Sequence, residues 1–474
     1  MTGTGPGSAG VTARLAEHVA SVANSTLDTD DVEAVRRLFL DNFIVSLWGS
    51  TRPAAGRVRE WSSRFAGTGK SPVLQSDWGT EASVAALVHG TAAHSYELDD
   101  THDVTTSHPG SVVIPAALAV AAETGASQSE LFRAVAAGYE AMILIGTATG
   151  GLETVHRGFH PTSVFGAFGA ATAAVSLRAY GDGQAVDPEV LVAAWGHALS
   201  QPSGSMQFSV EPTGGEVKRV HAGLGARNGV LAADFALIPE LTAPRLVVEG
   251  TYGVAASFGG PLREVTPGDQ LQIHTISYKP YSCCRLFHST IDALAEVTDR
   301  FTIPVERIAE IVVSGPQLVA DQHMTEPEST MTAQYSCPYI IGATLAYGPT
   351  RYDAYGEEFL KDPQILAIAA KVRFEVDSQL EKLYYPDHFA SSVTLRLAHG
   401  ACASATVVDS IGTVAHPMTT VQLIAKGTGL AARDHLPDGT RIAALLWDDA
   451  ADGRDLAALL AAGRSTKGTS QTVN

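Results

Sequence analysis

Residues 127–145 read SQSELFRAVAAGYEAMILI, and the class of fold turns on this stretch. Ser127 followed by Glu130 is a capping-box pattern, in which each side chain can bond the other residue's backbone N–H and so open a helix. The apolar run Leu131 to Ile145 follows directly. Upstream, Asp30 to Leu47 carries Val35, Leu38, Phe39, Phe43, Ile44 and Leu47 near the 3.6-residue period, behind the acidic opening Asp30-Asp31. Further helices are expected over 81–96, 111–124, 162–180, 188–200 and 216–237. Their small residues allow close helix–helix approach, so residues 12–270 are expected to form one tightly packed helical domain.

The pattern changes near residue 270. Ile308-Ala-Glu-Ile-Val-Val-Ser314 and Val372 to Val376 read as strands, and Val393, Leu395 and Leu397 alternate with Thr394, Arg396 and Ala398. His399-Gly400 then turns the chain toward Ala403 to Val408, which is a hairpin signal. A helix over 286–299 and the Tyr335 to Ala346 run interleave with these strands. Residues 271–412 are therefore expected to form a smaller α/β domain. Beyond His416-Pro417-Met418 the pattern is helical again, over Thr419 to Leu430 and Arg441 to Trp447, so 413–464 should return to the first domain. The fold class expected is mostly α with a smaller α/β lid. Segments 1–11 and 465–474 are expected to be disordered.

The 474 residues are 45% hydrophobic and 17% charged, with a formal net charge of −18. That composition excludes intrinsic disorder and argues against nucleic-acid binding, which needs a basic face. Polar residues break the apolar stretches before about 18 accumulate, so no membrane crossing is expected. The first ten residues lack the basic and apolar regions of a signal peptide. The cysteines at 283, 284, 337 and 402 make neither a disulfide framework nor CxxC pairs, which suits a reduced, cytoplasmic protein. In an acidic chain an anionic ligand must be drawn in by a local basic pocket.

Several apparent motifs fail. Gly67-Thr-Gly69-Lys70-Ser71 resembles the end of a P-loop, but Arg64 stands where glycine is required. Gly223-Leu-Gly225 has no preceding strand, so it is not a dinucleotide fingerprint. Neither HExxH nor GxSxG occurs. Vicinal Cys283-Cys284 reads as buried small hydrophobes rather than a strained disulfide.

Four segments carry the chemistry. His94-Ser-Tyr-Glu97-Leu-Asp99-Asp100-Thr101 leads through Thr105-Thr106-Ser107 to His108-Pro109-Gly110. There Ser111 can cap the next helix, and His108 would stand at a helix N-terminus, where anions bind. Arg157-Gly-Phe-His160-Pro161 repeats the His-Pro helix opening. Glu216-Val-Lys218-Arg219-Val-His221 precedes Gly223 and Gly225; Lys218 and His221 should share one helix face, with Arg219 directed elsewhere. Tyr278-Lys279-Pro-Tyr-Ser-Cys-Cys284-Arg285-Leu-Phe-His288 falls at the expected domain junction, where ligand clefts form. Lys279 and Arg285 add cationic charge there, and arginine can grip a carboxylate bidentately. The set suits removal of a proton next to a carboxylate while cations stabilise the developing enolate. Elimination of water, decarboxylation and epimerisation share that step or its reverse. The residues themselves leave those three open, together with a non-catalytic dimeric binding protein on the same fold.

These segments resemble the MmgE/PrpD family, which includes 2-methylcitrate dehydratase, cis-aconitate decarboxylase and iminodisuccinate epimerase. The resemblance rests on His94 to Thr101, His108-Pro-Gly110, Gly158-Phe-His-Pro-Thr162, Lys218-Arg219 with Gly223 to Gly229, Lys279-Pro-Tyr281 with His288-Ser-Thr-Ile-Asp292, and Gln334-Tyr-Ser-Cys-Pro-Tyr339. It runs in order over about residues 12–460. The resemblance implies a large helical domain built from both chain ends, an α/β lid and a homodimer. It also implies chemistry without a metal or other cofactor, in the cleft between the two domains. Carried over by motif, Thr101, His108, His160, Lys218 and Tyr339 would act on a small carboxylate substrate with Glu97. Lys279, Cys284, Arg285, His288 and Asp100 would bind it. Two departures stand out: Glu97 replaces the family's usual Asp, and Cys284 replaces a His of its decarboxylases. Arg285 could restore a carboxylate grip lost with that imidazole. The reading favoured is a lyase on a di- or tricarboxylate, ahead of an isomerase acting at Cα–H.

Overall fold

The computed structural model of the chain describes residues 10–461 except 212–214, 302, 322–325, 386–387 and 435. The disorder expected at 1–9 and 465–474 lies outside the described residues. Val11 opens the first helix, Val11–Asn24, contrary to expectation, and the next residue is tied down because Thr12 N donates to Glu249 Oε2 at 3.1 Å.

The described residues are 59% helical and 9% strand, a mostly-α fold with a small α/β part. The capping box forms as expected at the head of helix Gln128–Thr149, with Ser127 and Glu130 each bonding the other's backbone N–H. That helix is long and apolar enough to cross a membrane by length and composition, although no stretch of that kind was expected. Of its apolar window, 89% is buried inside the protein, so here it is a core helix. Against it pack Val11–Asn24, Thr29–Gly49, Gly110–Thr124 and Pro161–Gly181, and Ala82–Ala93, Pro188–Leu199 and Val217–Ala236 pack on these in turn. The crossing of Ala82–Ala93 with Val217–Ala236 is close because both helices carry glycine there. A Cβ on Gly223 would stand 2.3 Å from the Leu87 carbonyl oxygen, and one on Gly90 would stand 2.8 Å from Gly223 Cα. This approach brings His94, at the end of one helix, beside the Lys218 turn of the other.

One hydrophobic core runs from Leu15 to Tyr278, takes in Tyr352, and resumes from Met418 to Leu460. Helices Thr420–Asp434, Gly439–Leu446 and Gly453–Ala461 belong to that resumption. A buried ion pair locks it in place: Lys426 Nζ lies 2.7 Å from Asp41 Oδ1. A second core, from Tyr281 to Ala405, surrounds a four-stranded sheet. Its strand order is Val372–Val376, Ile308–Gly315, Ser391–Leu397, Cys402–Val407. The first pair is parallel and the other two are antiparallel. Ile311, Val313, Val393 and Leu395 alternate inward and are fully buried. Helix His288–Phe301 packs on this sheet through Ile291, Leu294 and Val297. The Gly67–Ser71 stretch enters a two-residue ribbon, Ser71–Pro72 against Gly79–Thr80, rather than a helix, so no phosphate loop forms. The four cysteines are free thiols.

Candidate active site

Helix Ala82–Ala93 ends at His94, and the chain then bends sharply. Glu97 has φ 55°, a left-handed conformation that costs a residue with a side chain about 1–2 kcal/mol. Bonds from distant parts of the chain hold the bend. Ser282 Oγ and Gln334 Nε2 both donate to Tyr96 O, at 2.8 and 3.0 Å. Lys426 Nζ donates to Leu98 O at 2.9 Å, and Thr101 and Ser277 exchange backbone bonds of 2.8 Å. Strain held this firmly from outside is a mark of functional loops.

The bend aims the Glu97 carboxylate at three cations. Lys218 Nζ donates to its Oε1, Arg219 Nη1 donates to the same oxygen at 2.5 Å, and Lys279 Nζ stands 3.6 Å from Oε2. Arg219 therefore does not point elsewhere, as the helical spacing suggested. It flanks the same carboxylate as Lys218, and its Nη2 donates to Gln334 Oε1 at 2.7 Å. Burial pushes the Glu97 carboxyl up, but Lys218, Lys279 and Arg219 together outweigh it and hold it well below the usual range. Burial also lowers the Lys218 ammonium, against the opposing pull of Glu97. Lys279 is wholly buried, and its Nζ makes no hydrogen bond among the described residues.

Histidines form the second group. His94, His108, His160 and His221 lie with ring centroids 5.2–6.3 Å apart from neighbour to neighbour. His94 Nδ1 bonds Asp99 Oδ2 at 2.7 Å. His108 Nδ1 lies 2.7 Å from Asp100 O and 3.1 Å from Thr101 Oγ1. A carbonyl only accepts, so Nδ1 carries the proton and Nε2 the free lone pair. Burial first, then Lys279, lowers His108 to about 3. Burial and the neighbouring His94 hold His160 well below its ordinary value, and burial lowers His221 to about 4. The imidazoles are thus neutral near pH 7, as proton acceptance requires.

A cavity of about 500 Å³ opens between the two cores. Glu97, Thr101, His108, His160, Lys279, Cys284 and Arg285 line it, so seven of the residues singled out in the sequence converge. Lys218 stands behind Glu97. Arg285 is oriented by Ser410 Oγ at 2.8 Å and Asp103 Oδ1 at 3.4 Å.

Three other expectations are corrected. Asp100 is turned into the helical core, where it accepts from Gly110 N and from Tyr139 OH, both at 2.8 Å. It thereby does the capping expected of Ser111, whose hydroxyl instead donates to His108 O at 3.0 Å. Tyr339 lies in the second core, with its hydroxyl donating to the Ala354 and Phe359 carbonyls. His288 is fully buried behind the cavity wall, with Nε2 3.3 Å from Cys283 O. In place of Tyr339, Tyr335 lines the cavity, with Lys218 Nζ 5.2 Å from its ring centroid. Arg219, Asp99, Gln334 and Tyr335 all belong to stretches that the sequence singled out, although their own roles there were missed. Among the described residues, no group of three or more His, Cys, Asp and Glu side chains could hold a metal ion.

Comparison with known proteins finds two family matches and several relatives. Residues 13–263 match the MmgE/PrpD N-terminal domain and residues 281–449 the MmgE/PrpD C-terminal domain. The chain is similar to the cis-aconitate decarboxylase of Aspergillus terreus, at 26% identity over 462 residues and 89% of each chain. It is also similar to that of Homo sapiens, at 25% identity over 377 residues, or 76% of this chain and 74% of the human one.

Proposed function

The chain belongs to the MmgE/PrpD family, and on that premise we propose that it is a lyase acting on a small di- or tricarboxylate. One observation carries this reading: Lys279, a wholly buried ammonium without a hydrogen-bond acceptor, faces the same cavity as His108. A substrate carboxylate supplies the missing acceptor. Lys279 and Arg285 take the carboxylate next to the reacting carbon, where they stabilise enolate character as it develops. His108 accepts the proton from that carbon on Nε2 for an elimination; for a decarboxylation, Nε2 first takes a proton from water and passes it to the carbon that has lost carbon dioxide. His160, 6.3 Å away between ring centroids, serves the departing or entering group on the cavity side. Glu97 keeps Lys218 and Arg219 in place. Side chains alone supply the base, the acid and the cations that this step needs. The relatives named cis-aconitate decarboxylase support the lyase reading over isomerisation.

Proton NMR of the purified protein in D₂O tests it, with 2-methylcitrate, citrate, cis-aconitate and malate- or aspartate-type diacids. New olefinic signals or loss of a carboxylate as carbon dioxide are expected. Deuterium entering recovered substrate without net conversion would replace the lyase with an isomerase. Lys279→Ala should weaken binding of the converted acid at least about tenfold, because a charge-assisted contact is lost.

A further inference from the structure

The cations that line the cavity are Lys279 and Arg285. They line it together with His108 and His160, and a compact tricarboxylate held by these groups displaces about seven waters, or about 200 Å³. The cavity is about 500 Å³. The rest of its wall is mostly apolar, with Leu152, Val155, Met206, Leu286, Leu318 and Phe389 contributed from both sides of the cleft beside the hydroxyls of Thr332 and Tyr335. Asp103 lies 3.4 Å from Arg285, and Glu211 also lines the cavity and accepts from Gln207 Nε2 at 2.8 Å. A carboxylate that reached so far would meet a like charge and no cation. Apolar surface beside a small ionic anchor selects a ligand with an apolar body and its carboxylates gathered at one end.

We infer that the substrate is a carboxylate bearing an apolar substituent of several carbons, alkyl or aryl, whose acid head sits on Lys279 and Arg285 while the substituent fills the wall between Leu152 and Leu318. This deepens the reading proposed above and rests on it. The reacting carbon stays at the ionic end, so the substituent extends away from His108 toward the cleft mouth. Each methylene buried there adds about threefold to fourfold in affinity.

The test is calorimetric titration of the full chain with methyl-, butyl-, hexyl- and benzylsuccinate, which read binding independently of turnover. Affinity is expected to rise at least tenfold from methylsuccinate to hexylsuccinate. Leu152→Asp and Leu318→Asp, both at partly exposed positions, should collapse that ratio to near unity. Lys279→Ala should instead weaken every member of the series by a similar factor. A flat or falling series in which binding still depends on Lys279 overturns the substituent and leaves the carboxylate site standing. Binding that is absent throughout, or indifferent to Lys279, overturns the carboxylate reading and the substituent with it.

Discussion

The helical wall of the cavity presents Glu97, Thr101, His108 and His160, whereas the facing wall presents Leu286, Leu318, Met331 and Phe389 with Thr332 and Tyr335 as its hydroxyls. On the first wall nearly every polar group is already engaged. His108 is fixed by Asp100 O, His160 lies 3.3 Å from His221 Nδ1, and Glu97 is held by two cations. On the second wall the contacts a ligand can make are mostly non-directional. The difference separates two tasks. Groups that move protons must be preorganised to a fraction of an ångström, and one cooperative helical core does that. Groups that choose among substituents need only shape and apolar area, which Leu286, Leu318 and Phe389 supply from across the cleft together with Leu152, Val155 and Met206.

If that division holds, truncating one residue on each wall must give unequal losses. His108→Ala is expected to lower kcat about 10²–10⁴-fold, the range for loss of a positioned acid or base. Leu318→Ala should change kcat less than about tenfold. Both are measured with the acid identified by NMR, and comparable losses would break the comparison. The same asymmetry should appear in stability. Glu97→Ala strands Lys218 and Arg219 as buried charges, and urea unfolding should register about 3–5 kcal/mol lost. Tyr339→Phe, which removes one hydroxyl from the second core, should lose about 1 kcal/mol.

Residues whose role is set by near neighbours were readable in the sequence, and those whose role is set across the fold were not. The Ser127–Glu130 box forms because its partners are three residues apart, and strand Val372–Val376 begins and ends where the alternation Val-Arg-Phe-Glu-Val does. His108 and His160 were legible because a His-Pro step fixes both the end of a loop and the start of a helix. Arg219 was misread because its direction depends on where Glu97 sits, and Glu97 reaches it only through a left-handed bend held by Ser282, Gln334 and Lys426. Tyr335 and Tyr339 lie four residues apart in one stretch. Only the entry into helix Cys337–Tyr347, which turns Tyr339 toward the Ala354 and Phe359 carbonyls, decides which faces the cavity.

Acid sharpens the contrast further, because the neutral histidines gather in the helical body. Burial lowers His89, His102 and His221 to about 4 and His108 to about 3, against about 6.5 in the unfolded chain. Between those values the unfolded chain binds protons that the folded chain does not, so stability is fully present above pH 6.5 and falls as pH drops toward 4. Unfolding in urea at pH 7 and pH 5 should show at least about 2 kcal/mol lost. A flat profile would mean that the histidines are hydrated and the helical wall is not preorganised.

Asp100 offers the finest test, because it adjoins Asp99 yet faces the other way. Burial raises its carboxyl to about 7, whereas Asp99 is held well below its ordinary range as His94, His108 and Lys279 outweigh burial. The sign for Asp100 is opposite to that of the histidines. Between about 3.8 and 7 the folded chain holds a proton that the unfolded chain has lost, so this group adds stability as pH falls through 7. Asn matches the neutral carboxyl: its amide oxygen can accept from Gly110 N and its amide nitrogen can donate to the Tyr139 oxygen. Asp100→Asn should therefore fold and gain stability relative to the parent at pH 8, where the parent buries a charge. From pH 8 to pH 6 that advantage should shrink by about 1.4 kcal/mol, the value of one pKa unit. A difference that does not change with pH would mean that Asp100 stays ionised, and would move it from the apolar core to the charged wall of the cavity.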